Sequence, residues 1–227
     1  MKKEMIVSLF LVASVALPVF AAKTGDHEKA NLVFDEIAVK KTVAVQKEEE
    51  PKKGCCDCDS QYCLNDRLME ATLENDIGGM KKALEAGADP NGTTEPGFFA
   101  LQVAMMYGYT DAARLFIAHG ADANQEFKGR PVFVDAGFYG RLEIMKILLS
   151  AKELGSKENA DVNAKDPYGY TALMFASMRG DIEVVRFLID SDADVNIKNN
   201  NGNTALKYAQ ERCYTVIIKM LQDAGAR

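Results

Sequence analysis

Histidine is scarce in this sequence: His27 and His119 are the only two in 227 residues. Acid-base relays and multi-histidine metal centres both draw on imidazole, so catalysis of those kinds starts from a thin supply of side chains. Positive charge is also in deficit. Lysine and arginine number 27 against 33 acidic residues, a formal charge of -6. Tracking a phosphate backbone needs the opposite balance, and no nucleic-acid partner is expected. The GxGxxG, Walker, HExxH and GxSxG patterns are all absent, which removes the sequence basis for nucleotide, metalloprotease or serine-hydrolase chemistry. Beyond the first 22 residues there is no apolar run long enough to span a bilayer. No catalytic residue, resident metal or cofactor is expected.

What is present begins with a processing signal. Lys2 and Lys3 form a basic start, Met5 to Leu17 carries no charge, and Pro18-Val19-Phe20-Ala21-Ala22 supplies small residues for a peptidase. Residues 1–21 read as a cleaved secretory signal of bacterial type, which places the mature protein in the periplasm or outside the cell. An uncleaved anchor is the alternative, because the uncharged run to Ala22 reaches the lower limit for a span. Residues 22–54 are polar and mixed in charge, ending in Gln46-Lys47-Glu48-Glu49-Glu50-Pro51-Lys52-Lys53, and read as a flexible linker.

A cysteine-rich collar follows at 55–63, with Cys55, Cys56, Cys58 and Cys63. Oxidation is the default after export, and an adjacent Cys55–Cys56 bridge would be strained. Bridges from the Cys55/Cys56 end to Cys58 or Cys63 are therefore favoured. A thiolate metal site and exchanging thiols stay open as alternatives, although the CCxC-x4-C spacing lacks the separated pairs of a structural zinc site. Cys213 reads as a small buried thiol.

From residue 64 the sequence repeats itself. Ala88-Asp89-Pro90-Asn91, Ala121-Asp122-Ala123-Asn124, Ala160-Asp161-Val162-Asn163 and Ala193-Asp194-Val195-Asn196 recur at 33, 39 and 33 residues. In phase with them run Ala71, Ala104, Ala136, Ala176 and Ala209, with Gly108, Gly140 and Gly180 four residues after the middle three. Each unit predicts two short helices around a glycine turn, too short to be stable alone, so they must stack. In the clearest unit the Thr171 hydroxyl is placed to cap a first helix. Val184, Val185, Leu188 and Ile189 then form one apolar stripe on a second.

Asp166-Pro167-Tyr168-Gly169-Tyr170-Thr171-Ala172-Leu173, followed by Ala176, Gly180 and Ala193-Asp194-Val195-Asn196, resembles an ankyrin repeat, and the period agrees. The resemblance implies an all-α solenoid of about five helix-turn-helix units with hairpin-like fingers. The units lie near 64–91, 92–125, 126–165, 166–199 and 200–227. The family's TPLH tetrapeptide is nowhere intact, so its inter-repeat histidine hydrogen bonds are expected to be missing. Unit three carries an insertion near Lys152 to Asn159, expected as an exposed loop. Asp135 stands where other units place Val103, Phe175 and Tyr208, and is expected to cap a neighbouring finger or to be partly exposed. His119 is expected to be structural.

An ankyrin array has no built-in catalytic site. The resemblance implies binding of another protein through the fingers and the concave face of the first helices, by a monomer. Glu95, Pro96, Phe98, Met106 and Tyr107 occupy the partner-facing positions of unit two, Phe127, Lys128, Arg130, Phe138 and Tyr139 those of unit three, and Pro167, Tyr168, Tyr170, Met178 and Arg179 those of unit four. About half are aromatic, against 8% of the chain. That composition fits a binding surface. The competing reading has Phe98, Phe138 and Tyr139 folding back to fill gaps left by the missing histidines. At the level of function two alternatives stand beside the interaction module: the cysteines handle redox equivalents or metal while the repeats position them, or the protein is a secreted effector acting on a host protein.

Overall fold

A computed structural model describes residues 61–93 and 97–227. The signal segment, the linker and Cys55, Cys56 and Cys58 lie outside the described residues. The helices are α1 (Gln61–Leu73), α2 (Ile77–Glu85), α3 (Ala100–Tyr107), α4 (Thr110–Ala118), α5 (Val132–Tyr139), α6 (Leu142–Leu149), α7 (Ala151–Leu154), α8 (Ala172–Arg179), α9 (Ile182–Asp190), α10 (Ala205–Glu211) and α11 (Thr215–Asp223). They form two layers. First helices stack in the order α1, α3, α5, α8, α10, and second helices in the order α2, α4, α6, α9, α11. The protein is an all-α repeat solenoid of helix-turn-helix units.

The layers differ as their sequences dictate. A first helix lies between its neighbours in the row and its own second helix, so α3 buries every residue but Tyr107, and α8 buries Ala172 through Ser177. A second helix has one covered side: α9 buries Val184, Val185 and Leu188 and turns charged residues outward. Thr171 Oγ1 accepts from the Met174 N–H at 3.4 Å and starts α8 as expected; Asp181 and Thr204 do the same for α9 and α10.

The turns between the helices depend on glycine for two reasons. Gly108, Gly140 and Gly180 have φ of 77°, 66° and 79°, and the next unit lies directly on them. A Cβ on Gly108 would meet the Arg141 guanidinium at 2.9 Å, on Gly140 that of Arg179 at 2.8 Å, and on Gly180 the Tyr214 ring at 2.8 Å. The two arginines also donate across the gap, Arg141 Nη2 to the Met106 carbonyl at 2.7 Å and Arg179 Nη1 to the Phe138 carbonyl at 2.9 Å. Cations thus meet the exposed carbonyls at the ends of α3 and α5. Cys213 takes the same left-handed conformation, φ 57°, in the last unit. It is exposed rather than buried, with no unit among the described residues over that turn.

Between units, asparagine side chains bond the backbone of the next unit. Asn91 Oδ1 accepts from the Asp122 N–H at 2.7 Å, Asn124 Oδ1 from Asp161 at 3.0 Å, Asn163 Oδ1 from Asp194 at 2.8 Å and Asn196 Oδ1 from Arg227 at 3.1 Å. Asn65 begins the series by accepting from Asp89 at 2.9 Å. Within each ADxN tetrad the aspartate accepts from the asparagine N–H, which holds the turn that presents the rung. The insertion in unit three is not a plain loop. It begins with α7, which packs on α4, and buries Ala151 and Ser156. Asn159 ties it down, its Oδ1 accepting from the Lys152 N–H at 2.8 Å and its carbonyl from Asn124 Nδ2 at 3.0 Å. Between and after these two anchored small residues the insertion is exposed except for the half-buried Leu154.

Candidate functional site

The candidate site is the face formed by the fingers and the first helices. Finger three is a hairpin of β1 (Glu126–Phe127) and β2 (Arg130–Pro131), turned by Lys128 and Gly129 with φ of 52° and 75°. Two successive positive φ values match the twist of a tight hairpin. Finger four is built on Asp166, whose Oδ1 accepts from the Tyr168 and Tyr170 N–H groups at 2.9 and 2.7 Å. Asn199 does the same for Asn201 and Asn203 in finger five. Fingers four and five are joined by Asn200, which donates from its backbone to Tyr168 O and from Nδ2 to Pro167 O.

A row of aromatic rings underlies this face, with Phe175 and Tyr208 buried and Phe138, Tyr139 and Tyr170 half-buried. Tyr139 packs edge-on against Phe138 at 5.2 Å, Phe138 against Phe175 at 5.2 Å, and Phe175 stacks on Tyr170 at 5.2 Å. Tyr170 then stacks on Tyr208 at 5.8 Å, and the Tyr208 hydroxyl donates to that of Tyr170 at 3.0 Å. The Tyr208 oxygen accepts from Asn199 Nδ2 at 2.8 Å and Asn203 Nδ2 at 3.3 Å. The row thus crosses three units and is locked at one end by finger five. Tyr168 stands beside it, 53% exposed.

Not every expected contact residue is at the surface. Phe98, Met106 and Phe127 are 4%, 6% and 5% exposed, and belong to the interior. Phe98 stacks on Phe127 at 4.5 Å, filling the space between fingers two and three, and Lys128 lies 4.9 Å above the Phe127 ring. Tyr107, Phe138, Tyr139, Tyr170, Met178 and Arg130 are half-buried, and Lys128 and Arg179 exposed. Tyr107 stacks on Tyr109 at 5.5 Å. Glu95 and Pro96 lie outside the described residues.

Asp135 corrects another expectation. It is 2% exposed and pairs with Arg130 of its own finger, Nε to Oδ1 at 3.1 Å. A carboxylate among apolar neighbours needs a partner, and β2 carries one directly over it. His119 is exposed, with its Nδ1 donating to the Leu115 carbonyl at 2.8 Å, a local helix-end contact. Cys63 is half-buried on the first turn of α1. Among the described residues no group of three or more His, Cys, Asp or Glu side chains is placed to hold a metal, and no helix is long and apolar enough to cross a membrane. A cleft of about 320 Å³ beside the ladder is lined by polar groups including Asn91, Asp122, Asn124 and Lys157.

The family model for ankyrin repeats matches residues 68–158 and 150–227. Cyclin-dependent kinase 4 inhibitor B of Homo sapiens is 33% identical over 124 residues, covering 53% of this chain and 83% of that protein. Serine/threonine-protein kinase 12 of Arabidopsis thaliana is 34% identical over 83 residues, which is 36% of this chain and 18% of the relative. The mitochondrial disaggregase of Bos taurus is 29% identical over 123 residues, again 18% of that protein. With so little of those two proteins covered, their named activities do not carry over. The stacked helix pairs, the fingers and the family match agree: this chain belongs to the ankyrin-repeat family, and it is a protein-interaction module.

Proposed function

We propose that this chain is an exported adaptor that holds another protein against the concave face of units three to five. Tyr139, Tyr168 and Tyr170 are its anchors, with Tyr107 at the margin and Lys128 and Arg179 as the charged rim, Arg130 being taken up by Asp135. The observation that carries this is the exposed Tyr168 beside the half-buried Tyr139 and Tyr170, which Phe138 and the buried Phe175 and Tyr208 hold in place. Ordered rings present large contact area at low conformational cost, which is why tyrosine dominates binding hot spots. Export rests on the basic start, apolar stretch and small residues of the first 22 positions.

The test is crosslinking in the intact cell envelope, comparing wild type with the Tyr139→Ala, Tyr168→Ala, Tyr170→Ala triple variant. A stoichiometric protein partner lost from the folded variant supports the reading. The same partner retained at full yield refutes the face, and recovery of the protein only from the cytoplasm refutes export.

A further inference from the structure

Charge on the finger face runs against the charge of the molecule. The chain is acidic overall, at -6. In and beside fingers three to five and on their first helices, exposed cations stand at Lys128, Lys165, Arg179, Lys198, Lys207 and Arg212. The exposed acids of the same strips are Glu126 and Glu211, with Asp122, Asp161 and Asp194 in the turns that lead into the fingers. The remaining carboxylates there are consumed inside, Asp135 by Arg130 and Asp166 by two backbone N–H groups. The acidic excess lies on and after α9, where Glu183, Asp190 and Asp192 are exposed and Asp181 is half-buried against the one exposed Arg186; α6 and the insertion after it are balanced, with Glu143, Glu153 and Glu158 against Lys146, Lys152 and Lys157.

From this segregation we infer that the occupant of the face is an acidic protein segment, with Asp or Glu interleaved with apolar side chains. This rests on the binding face proposed above and adds the chemistry of its partner. Apolar side chains of the segment lie on Tyr168 and Tyr170, and its carboxylates fall between the flanking cations. Complementary charge of this kind speeds encounter and rejects basic partners. A nucleic acid is disfavoured, because the acidic excess of the remaining surface repels a long polyanion.

The experiment uses the full-length chain and three fluorescein-labelled dodecapeptides, built of Glu-Glu-Leu, Gln-Gln-Leu or Lys-Lys-Leu repeats, with a single-stranded oligonucleotide as a fourth probe. Anisotropy gives the affinities at roughly 50 and 300 mM salt. The expected result is binding of the Glu peptide alone, weakened by salt and about tenfold by Lys165→Glu with Lys198→Glu. Those two lysines are exposed, so the double variant keeps the interior intact. Lys81→Glu with Lys82→Glu, on α2, changes nothing. Equal binding of all three peptides, lost in Tyr168→Ala, overturns the acidic partner and leaves the face standing. Equal binding of the oligonucleotide overturns it in favour of a polyanion. Binding of no probe, or binding indifferent to Tyr168→Ala, overturns both readings.

Discussion

At the scale of single residues the interior of unit three is the most constrained point. Asp135 and Arg130 form a nearly dry ion pair, and removing one member leaves the other charge uncompensated. Asp135→Ala is expected to cost about 3–5 kcal/mol in urea unfolding. Asp135→Ala combined with Arg130→Met should recover much of that. Gly137 is a second such point. A Cβ there would meet Ala172 Cβ at 2.6 Å and Cα at 2.7 Å, so α5 and α8 touch through backbone. Gly137→Ala is expected to lower stability by about 1–3 kcal/mol through overpacking. Asp66 on α1 shows the opposite kind of cost. Burial first, and then the Glu70 carboxylate, raise its carboxyl above the ordinary 3.8. The folded form holds that proton to higher pH than the unfolded chain does. The stability it contributes is therefore full below the ordinary value and lost as pH climbs through the raised one. Asp66→Asn should unfold at higher urea than wild type at neutral pH, with the gap closing below roughly pH 4. None of these three roles was legible in the sequence. Asp135 showed only as a polar residue out of pattern, because its partner five residues away lies on a different element.

Elements are where the sequence spoke most clearly. Apolar periodicity, recurring glycines and the Thr171 cap were enough to expect paired short helices, because each is a local consequence of chain geometry. The ADxN tetrads were visible as phase markers, while their bonding was hidden, since an asparagine that reaches the following unit acts across 31 to 37 residues. Asn124→Ala, which removes two of these bonds, is expected to cost about 1–3 kcal/mol, with Asn124→Asp in between, read from urea midpoints. The fingers were harder still. Side-chain positions inferred from a family pattern do not say which rings turn inward, and that was decided by the Phe98–Phe127 stack and by Asp166 fixing the backbone under Tyr168. Tyr208→Phe keeps the stack but leaves the Asn199 amide without its 2.8 Å acceptor. It should loosen finger five, seen as faster amide exchange at Asn201 and Asn203.

For the molecule as a whole, stability is a sum over neighbours, because each unit touches only the ones beside it. Among the described residues the first and last units have one neighbour each, and α11 buries only Ile217 and Leu221. Hydrogen exchange should therefore be fastest in α2 and α11 and slowest in α3, α5 and α8. The ladder also makes the array a graded spring. Pulled from its two ends, the rungs bear load in series and give way one at a time rather than together. The unit carrying α7 holds 39 residues between successive asparagines where its neighbours hold 33. Its rupture should release about 20 Å more chain than theirs, a single long step in an otherwise even force trace.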